Sequence, residues 1–162
     1  MLQKEKTEEK VTVKVKDLMI KEVVKIDENA SVKEAADVMN NHEIGSIVAV
    51  RKGKATGIIT ERDLLKRIVS EGKNAEKTRV KDVMSTPLVT VPPSMDVEDA
   101  ARLMFEKKIK KLPVISENHL VGLISLTDIA RCQPRIIKFL QCLSKVQTAP
   151  KNIEKVLYCY IV

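Results

Sequence analysis

Aromatic side chains are nearly absent from this sequence: it has no tryptophan, and phenylalanine and tyrosine occur only twice each. Because 44% of the residues are nevertheless hydrophobic, we expect a globular protein with an aliphatic core. Proteins that hold single-stranded nucleic acids commonly stack the bases on exposed aromatic rings. The shortage of rings therefore argues against that mode of binding.

Cysteines and long apolar runs are also scarce. The three cysteines, Cys132, Cys142 and Cys159, are odd in number and form no C-x-x-C pair. This pattern argues against a disulfide framework and a zinc site, and it favours a reducing compartment, so we expect a cytoplasmic protein. No apolar run approaches the ~20 residues of a membrane span, and the charged N-terminus lacks the apolar segment of a signal peptide.

The positive charge is concentrated at the two ends of the chain. The net charge is +7, and residues 131–162 contribute six lysines and arginines against one glutamate. A basic tail of this kind can contact nucleic acid, an acidic partner or a membrane surface, or can simply be solvated. The tail cations are Arg131, Arg135, Lys138, Lys145, Lys151 and Lys155.

The same unit occurs twice along the chain, at a constant offset that needs no gap. Asp17-Leu18-Met19 recurs as Asp82-Val83-Met84, and the segment Gly57 to Asp63 recurs as Gly122 to Asp128. Two copies are too few for a solenoid. We therefore predict two small units packed about a pseudo-twofold axis, which creates two equivalent clefts.

Each unit has the pattern of a β-α-β-β-α fold, so the predicted class is α/β (α+β). In the first unit we expect strands at 23–26, 46–50 and around 57–59, with helices at 31–40 and 61–70. In the second we expect strands at 88–91, 111–115 and 120–125, with a hairpin turn at Glu117-Asn118, and a helix at 96–107. Ser31 is the expected N-terminal cap of the helix in the first unit. We also expect a short strand at 11–15, a C-terminal helix at 134–146 and a strand at 156–162. The predicted organisation is a polar segment (1–14), repeat 1 (15–72), repeat 2 (73–130) and a basic C-terminal appendage (131–162).

A polar pair marks the same turn in both repeats. Thr60-x-x-Asp63 and Ser125-x-x-Asp128 each follow a strand and open a helix. One interpretation is a helix cap, with the hydroxyl accepting from the free amides of the first turn. The other is a nucleotide site, with the carboxylate on ribose hydroxyls and the hydroxyl and amides facing phosphate. The two are compatible, and glycine three residues earlier allows another backbone or a ligand to approach closely.

These motifs resemble those of the CBS-domain family. The signature G-h-h-[ST]-x-x-D occurs twice, V-x-D-h-M occurs at Val15 and again at Val80, and Lys111 to Ile115 is similar to the family's second-strand motif. The resemblance covers about residues 15–130. It implies a tandem CBS pair, or Bateman module, which typically dimerises, binds adenine nucleotides or S-adenosylmethionine between its repeats, and regulates another protein.

The resemblance also implies which residues line the two clefts. The main cleft would use Thr60, Asp63, Thr86, Pro87, Leu88, Val89, Lys110, Lys111, Leu112 and Pro113. The second would use Lys21, Glu22, Val23, Val24, Ser46, Ile47, Arg62, Ser125 and Asp128. Gly45 and Ser46 stand where the main cleft has Lys110 and Lys111, so the second cleft should hold phosphate more weakly. The two lysines could instead lie in a solvated helix-to-strand turn.

The expected function is therefore a stand-alone, homodimeric regulatory module in signal transduction and energy sensing. Its ligand would be AMP, ADP or ATP, or alternatively S-adenosylmethionine, with no obligatory cofactor or metal, and an unidentified partner protein would respond to occupancy. The alternative is a nucleic-acid-binding or scaffold protein that uses the basic tail and has weak or empty clefts. Catalysis is not expected, because neither His42 nor His119 has a serine or cysteine partner by motif.

Overall fold

The computed structural model describes residues 12–132. Helices and strands alternate along this span, which confirms the predicted mixed class. The elements are α1 (Val15–Leu18), β1 (Lys25–Asp27), α2 (Val32–Asn41), β2 (Ser46–Arg51), β3 (Lys54–Thr60), α3 (Glu61–Leu64), a π-helical turn (Leu65–Val69), α4 (Val80–Val83), α5 (Val97–Lys107), β4 (Lys111–Ser116), β5 (His119–Ser125) and α6 (Leu126–Cys132).

The sheet of repeat 1 has the order β1-β2-β3. Strand β1 runs parallel to β2, and β2 pairs antiparallel with β3 so that Ser46 lies opposite Thr60. Lys52 and Gly53 both have positive φ in the connecting turn, as a tight hairpin of this hand requires. This hairpin places Ser46 beside the turn into α3.

In repeat 2, the pair β4-β5 forms the equivalent hairpin, and the predicted turn at Glu117-Asn118 is confirmed. The strand predicted at 88–91 is reduced to one parallel bridge between Val91 and Val114. Proline lacks the N–H that a ladder needs, and this segment is flanked by Pro87 on one side and by Pro92 and Pro93 on the other. The prolines therefore prevent this segment of repeat 2 from pairing as fully as β1 does in repeat 1.

The predicted helices are present with small shifts at their ends. Ser31 caps α2, accepting from the Glu34 N–H at 3.1 Å while the Glu34 carboxylate accepts from the Ser31 N–H at 2.7 Å. Asp96 precedes α5, but its carboxylate accepts from Lys14 Nζ at 2.8 Å instead of capping the helix. The helix predicted at 61–70 begins as α3 and continues as the π-helical turn.

The strand predicted at 11–15 is reduced, over its described part, to one antiparallel bridge between Lys14 and Asp96. Val15 begins the short helix α1, and the Asp17 carboxylate accepts from the Lys14 N–H at 2.9 Å. Helix α4 has the same position in repeat 2. The alternating valines mimic a strand, but Val15 is fully buried because the helix carries it into a core formed by distant residues.

The leading helices α1 and α4 are exchanged between the repeats. Val15 belongs to the core of repeat 2, together with Val97, Met104 and Ile124. Val80 and Val83 belong to the core of repeat 1, which includes residues of α2, β2 and β3. Each core thus contains a helix from the other repeat, so we expect the two repeats to fold as one unit.

Backbone hydrogen bonds fix this exchange. Ile20 and Leu123 exchange both N–H···O bonds at 2.9 Å. Ser85 and Ile58 do the same at 2.8 and 3.2 Å. The segment after each leading helix therefore lies along the last strand of the other repeat, next to the turn that carries the T/S-x-x-D motif.

The predicted C-terminal helix and strand, Cys142, Cys159 and the tail cations beyond Arg131 lie outside the described residues. Of the helices in residues 12–132, none has the length and apolarity needed to cross a bilayer.

Candidate functional site

The first strand-to-helix turn is built as a reciprocal cap. The Thr60 hydroxyl accepts from the Asp63 N–H at 3.2 Å. Asp63 Oδ2 accepts from the Thr60 N–H at 3.0 Å and from its hydroxyl at 2.7 Å. The capping interpretation is therefore correct, and it leaves the second carboxylate oxygen, Oδ1, directed away from the cap.

Two side chains reach Asp63 Oδ1: Arg67 from the same repeat, and Ser85 from repeat 2, across the interface between the repeats, here called the seam. Ser85 Oγ lies 3.4 Å away, and Arg67 Nη2 lies 3.6 Å away. Arg67 Nη1 also donates to the carbonyl of Val83 and, at 2.9 Å, to that of Met84. Arg67 thus ties the carboxylate of repeat 1 to the end of helix α4 of repeat 2.

The second turn repeats the cap without these additions. Asp128 Oδ2 accepts from the Ser125 N–H at 2.9 Å and from its hydroxyl at 2.6 Å. The positions of the other repeat that are equivalent to Ser85 and Arg67 are Ile20 and Cys132. Neither is a strong donor, so the surroundings of the two carboxylates differ in a way that the repeated motif does not show.

The glycines of the signature make room for methionine. A Cβ on Gly57 would stand 2.4 Å from Met84 Sδ, and a Cβ on Gly122 would stand 2.5 Å from Met19 Sδ. The close approach expected at these glycines is therefore made by the methionine of the V-x-D-h-M motif of the other repeat. The two family motifs contact each other across the seam.

A cavity of about 370 Å³ opens beside this seam, within the size range of small-molecule sites. Thr86, Pro87 and Leu88 line it, whereas Val89 packs against the core of repeat 2. Its other lining residues are Lys54, Ala55, Thr56, Thr90, Ile115 and Asn118.

The cavity lies at the far end of β3 from the capped turn. Thr56 and Thr60 are four residues apart on that strand, about 13 Å at 3.3 Å per residue. Between them, Ile58 is half-exposed whereas Gly57 and Ile59 are buried. Ile58, whose backbone pairs with Ser85, therefore lies between the cavity and the polar turn at Thr60 and Asp63.

Lys111 lies at the centre of the seam. Its Nζ donates to Ser46 Oγ at 2.9 Å, and the two residues are equivalent positions of the repeats. Such a contact places the pseudo-twofold axis beside them. Burial lowers the pKa of Lys111, opposed by the negative charges of Glu61 and Asp128. Within residues 12–132, no ion pair or hydrogen bond joins Lys111 directly to Asp63, so their shared contact with a ligand stays a prediction.

The remaining predicted residues of the main cleft are less accessible. Leu112 is fully buried in the core of repeat 2, and Pro113 is also buried, its carbonyl accepting from the Val91 N–H at 3.1 Å. Lys110 is exposed, and its carbonyl accepts from the Leu126 N–H at 2.8 Å.

The residues predicted for the second cleft differ in their exposure. Lys21, Glu22 and Arg62 are exposed, and Val23 is half-buried. Val24 and Ile47 pack in or against the core of repeat 1. Ser46 is buried under Lys111.

Sequence reasoning missed Arg67, Ser85 and Glu61. Arg67 follows Asp63 by four residues, the spacing at which helical side chains meet, and this was an available signal. The proximity of Ser85 and the position of Glu61 depend on how the repeats pack, and no local pattern reports them.

The CBS-domain family matches this chain twice, over residues 15–70 and 80–135. The CBS domain-containing protein YhcV of Bacillus subtilis is 40% identical over 116 residues, which cover 72% of this chain and 82% of YhcV. An inosine-5'-monophosphate dehydrogenase of Methanocaldococcus jannaschii is 34% identical over 120 residues, which cover 73% of this chain but only 23% of the enzyme.

Among solved structures, a hexameric CBS-CP12 protein from bloom-forming cyanobacteria superposes with a TM-score of 0.69 at 30% identity. The match covers 74% of this chain and 67% of that protein. The resemblance inferred from the repeated motifs is confirmed.

Proposed function

Because this chain belongs to the CBS-domain family and carries two copies of the domain, we propose that it is a regulatory module that binds an adenine nucleotide at the seam between its repeats. The ligand would be AMP, ADP or ATP, or alternatively S-adenosylmethionine. No catalytic step is proposed, since the dehydrogenase relative shares only the segment that these domains occupy.

The Lys111 ammonium is the observation that carries this proposal. It is half-buried, its hydrogen-bond partner Ser46 is neutral, and burial lowers its pKa. A desolvated cation is unfavourable unless negative charge compensates it. The negative charges of Glu61 and Asp128 offset only part of this effect, because the pKa of Lys111 is still lowered. A phosphate group at the seam would supply that charge and accept hydrogen bonds from the ammonium.

The cavity and the capped turn together suit a ligand that contacts both. A base in the cavity would contact Pro87 and Leu88. The ribose would then lie at Asp63 Oδ1, the carboxylate oxygen that does not accept in the cap. The span of about 13 Å along the strand suits an elongated nucleotide.

Occupancy of this site would alter contacts between the repeats. A ribose hydroxyl on Asp63 Oδ1 would compete with Ser85 and Arg67, and Arg67 also holds the end of α4. The change in seam packing would be transmitted to a homodimer interface or to a separate partner protein, provided that the ligand binds one arrangement more tightly than the other. A response to the AMP:ATP ratio would make the module an energy sensor.

Isothermal titration calorimetry on nucleotide-stripped protein tests the proposal. AMP, ATP and S-adenosylmethionine would be titrated into the wild type, Asp63→Asn and the matched variant Asp128→Asn. We expect saturable binding that weakens about tenfold or more in Asp63→Asn, because asparagine has one acceptor oxygen and cannot serve both the cap at Thr60 and the ribose hydroxyls.

Asp128→Asn should retain this binding, and circular dichroism should show both variants folded. The absence of heat from all three ligands, at protein concentrations suited to micromolar affinity, would contradict the proposal. Asp63 would then be a helix cap only.

A further inference from the structure

Glu61 places a carboxylate beside the seam. Its N–H donates to the Gly45 carbonyl at 3.2 Å. Its Oε2 lies 2.8 Å from the point where a Cβ on Gly45 would stand. The absence of a side chain at Gly45 therefore leaves the space that the carboxylate occupies.

The neighbouring residue holds the opposite charge. Ser46, directly after Gly45, accepts from Lys111 Nζ at 2.9 Å. Glu61 and Lys111 thus rest against adjacent residues at the start of β2, although no salt bridge joins them within the described chain. The negative charge of Glu61 favours the protonated form of Lys111 and opposes the effect of burial on its pKa.

The other repeat lacks this arrangement. The positions equivalent to Gly45 and Glu61 are Lys110 and Leu126, which make the same backbone hydrogen bond at 2.8 Å. Leucine carries no charge, so only the turn beside Thr60 has a carboxylate at its first helical position. This carboxylate is adjacent to the hydroxyl and amides that would face a phosphate.

We infer that Glu61 is a specificity-determining residue that limits how much negative charge the seam accepts. It supplies part of the negative charge near Lys111, so that ligands with one phosphate, or with a cationic group, are preferred over triphosphates. This inference rests on the proposed binding of an adenine ligand at the Thr60–Asp63 turn.

The physical basis is repulsion between Glu61 and each added phosphate. One phosphate is balanced by the Lys111 ammonium, whereas the further charges of ATP meet a carboxylate that no described residue neutralises by an ion pair. Near a protein surface, removing one unit of charge several ångströms away changes an affinity by about tenfold. The amino group of S-adenosylmethionine would instead be attracted to Glu61.

Glu61→Gln tests this inference, with Glu76→Gln in the exposed linker as the matched control. Affinities for AMP and ATP would be measured by calorimetry on the nucleotide-stripped protein at fixed ionic strength. We expect the wild type to prefer AMP and Glu61→Gln to shift the ratio of the two affinities toward ATP by about tenfold. The control should retain the wild-type ratio.

A second measurement reports on Glu61 and Lys111 without any ligand. The pKa of Lys111, followed by NMR of its labelled side chain, should fall further in Glu61→Gln and stay unchanged in Glu76→Gln. An unchanged pKa, or an ATP:AMP ratio that Glu61→Gln does not shift while AMP still binds, overturns the role of Glu61 alone. Absence of binding by every nucleotide overturns the proposed function and this inference together.

Discussion

The contact between Gly57 and Met84 yields a prediction that can be worked out from the structure. In Gly57→Ala the new Cβ would stand 2.4 Å from Met84 Sδ and 2.8 Å from its Cγ. Rotation of the methyl end alone cannot relieve both contacts, because Cγ lies close to the backbone of Met84. The Met84 side chain, or the segment around Ser85 that pairs with β3, must move.

The expected cost of Gly57→Ala follows from two opposing effects. Overpacking of a filled site destabilises a protein by about 1–3 kcal/mol. Loss of backbone freedom in the unfolded chain returns about 0.4–1 kcal/mol, because the backbone at this position has no positive φ. The difference between these two effects predicts a net loss of stability of about 1–2 kcal/mol. Met84 is only half-buried, so Met84→Ala should cost no more than about 2 kcal/mol, the low end for shortening a core methionine.

The double variant distinguishes this contact from general damage to the strand. With Met84 shortened, the methyl group introduced at position 57 has space, so the two losses should not add. A double-mutant cycle should give a favourable coupling of about 1 kcal/mol. Urea unfolding followed by circular dichroism is the appropriate assay, since the chain has no tryptophan. Additive losses, within about 0.5 kcal/mol, would refute the contact between Gly57 and Met84.

Two further predictions concern charged side chains at the seam. Arg67→Met removes the hydrogen bonds that the charged guanidinium donates to two carbonyls of the other repeat. The free energy of unfolding, measured with urea, should fall by about 2–3 kcal/mol. Loss of the partly exposed ion pair with Asp63 should add little. The control variant Arg62→Met, on the exposed side of the same turn, should lower the free energy of unfolding by less than about 0.5 kcal/mol. Equal losses in the two variants would contradict the role of Arg67 in joining the repeats. Burial lowers the pKa of Lys111 in the folded state. Between this lowered pKa and the ordinary lysine value of about 10.4, the unfolded state binds more protons than the folded state. The free energy of unfolding should therefore rise with pH across that interval. Lys111→Met should show a smaller rise with pH than the control variant Lys77→Met. If the pH profile of unfolding is unchanged in Lys111→Met, the effect of burial on Lys111 is contradicted.

Features that depend on neighbouring residues could be predicted from the sequence. The cap at Thr60 and Asp63, the cap at Ser31 and the hairpin turn at Glu117-Asn118 each involve residues within three positions of each other. The internal repeat indicated two equivalent units and the family. Local chemistry is sufficient for these features, because the same hydrogen bonds and turn conformations form wherever the residue pattern occurs.

Local patterns were misleading where a distant segment determined the conformation. The alternating valines predicted a strand at 11–15, but burial of Val15 in the core of repeat 2 favours a helix there. The run at 88–91 has strand-forming residues, yet the prolines around it leave one bridge. Hydrophobic periodicity shows which face of a segment is apolar, but it does not show which core will bury that face.

The amino-acid sequence alone indicated a pair of CBS domains with a capped polar turn in each. Repeats and caps can be recognised from short stretches of sequence. The packing of the folded chain added that the leading helices are exchanged, that glycine and methionine of the two motifs interlock, and that Lys111 rests on Ser46 beside Glu61. These contacts join residues that lie far apart along the chain. Their geometry is set by how two surfaces pack, and therefore no spacing within either repeat encodes it.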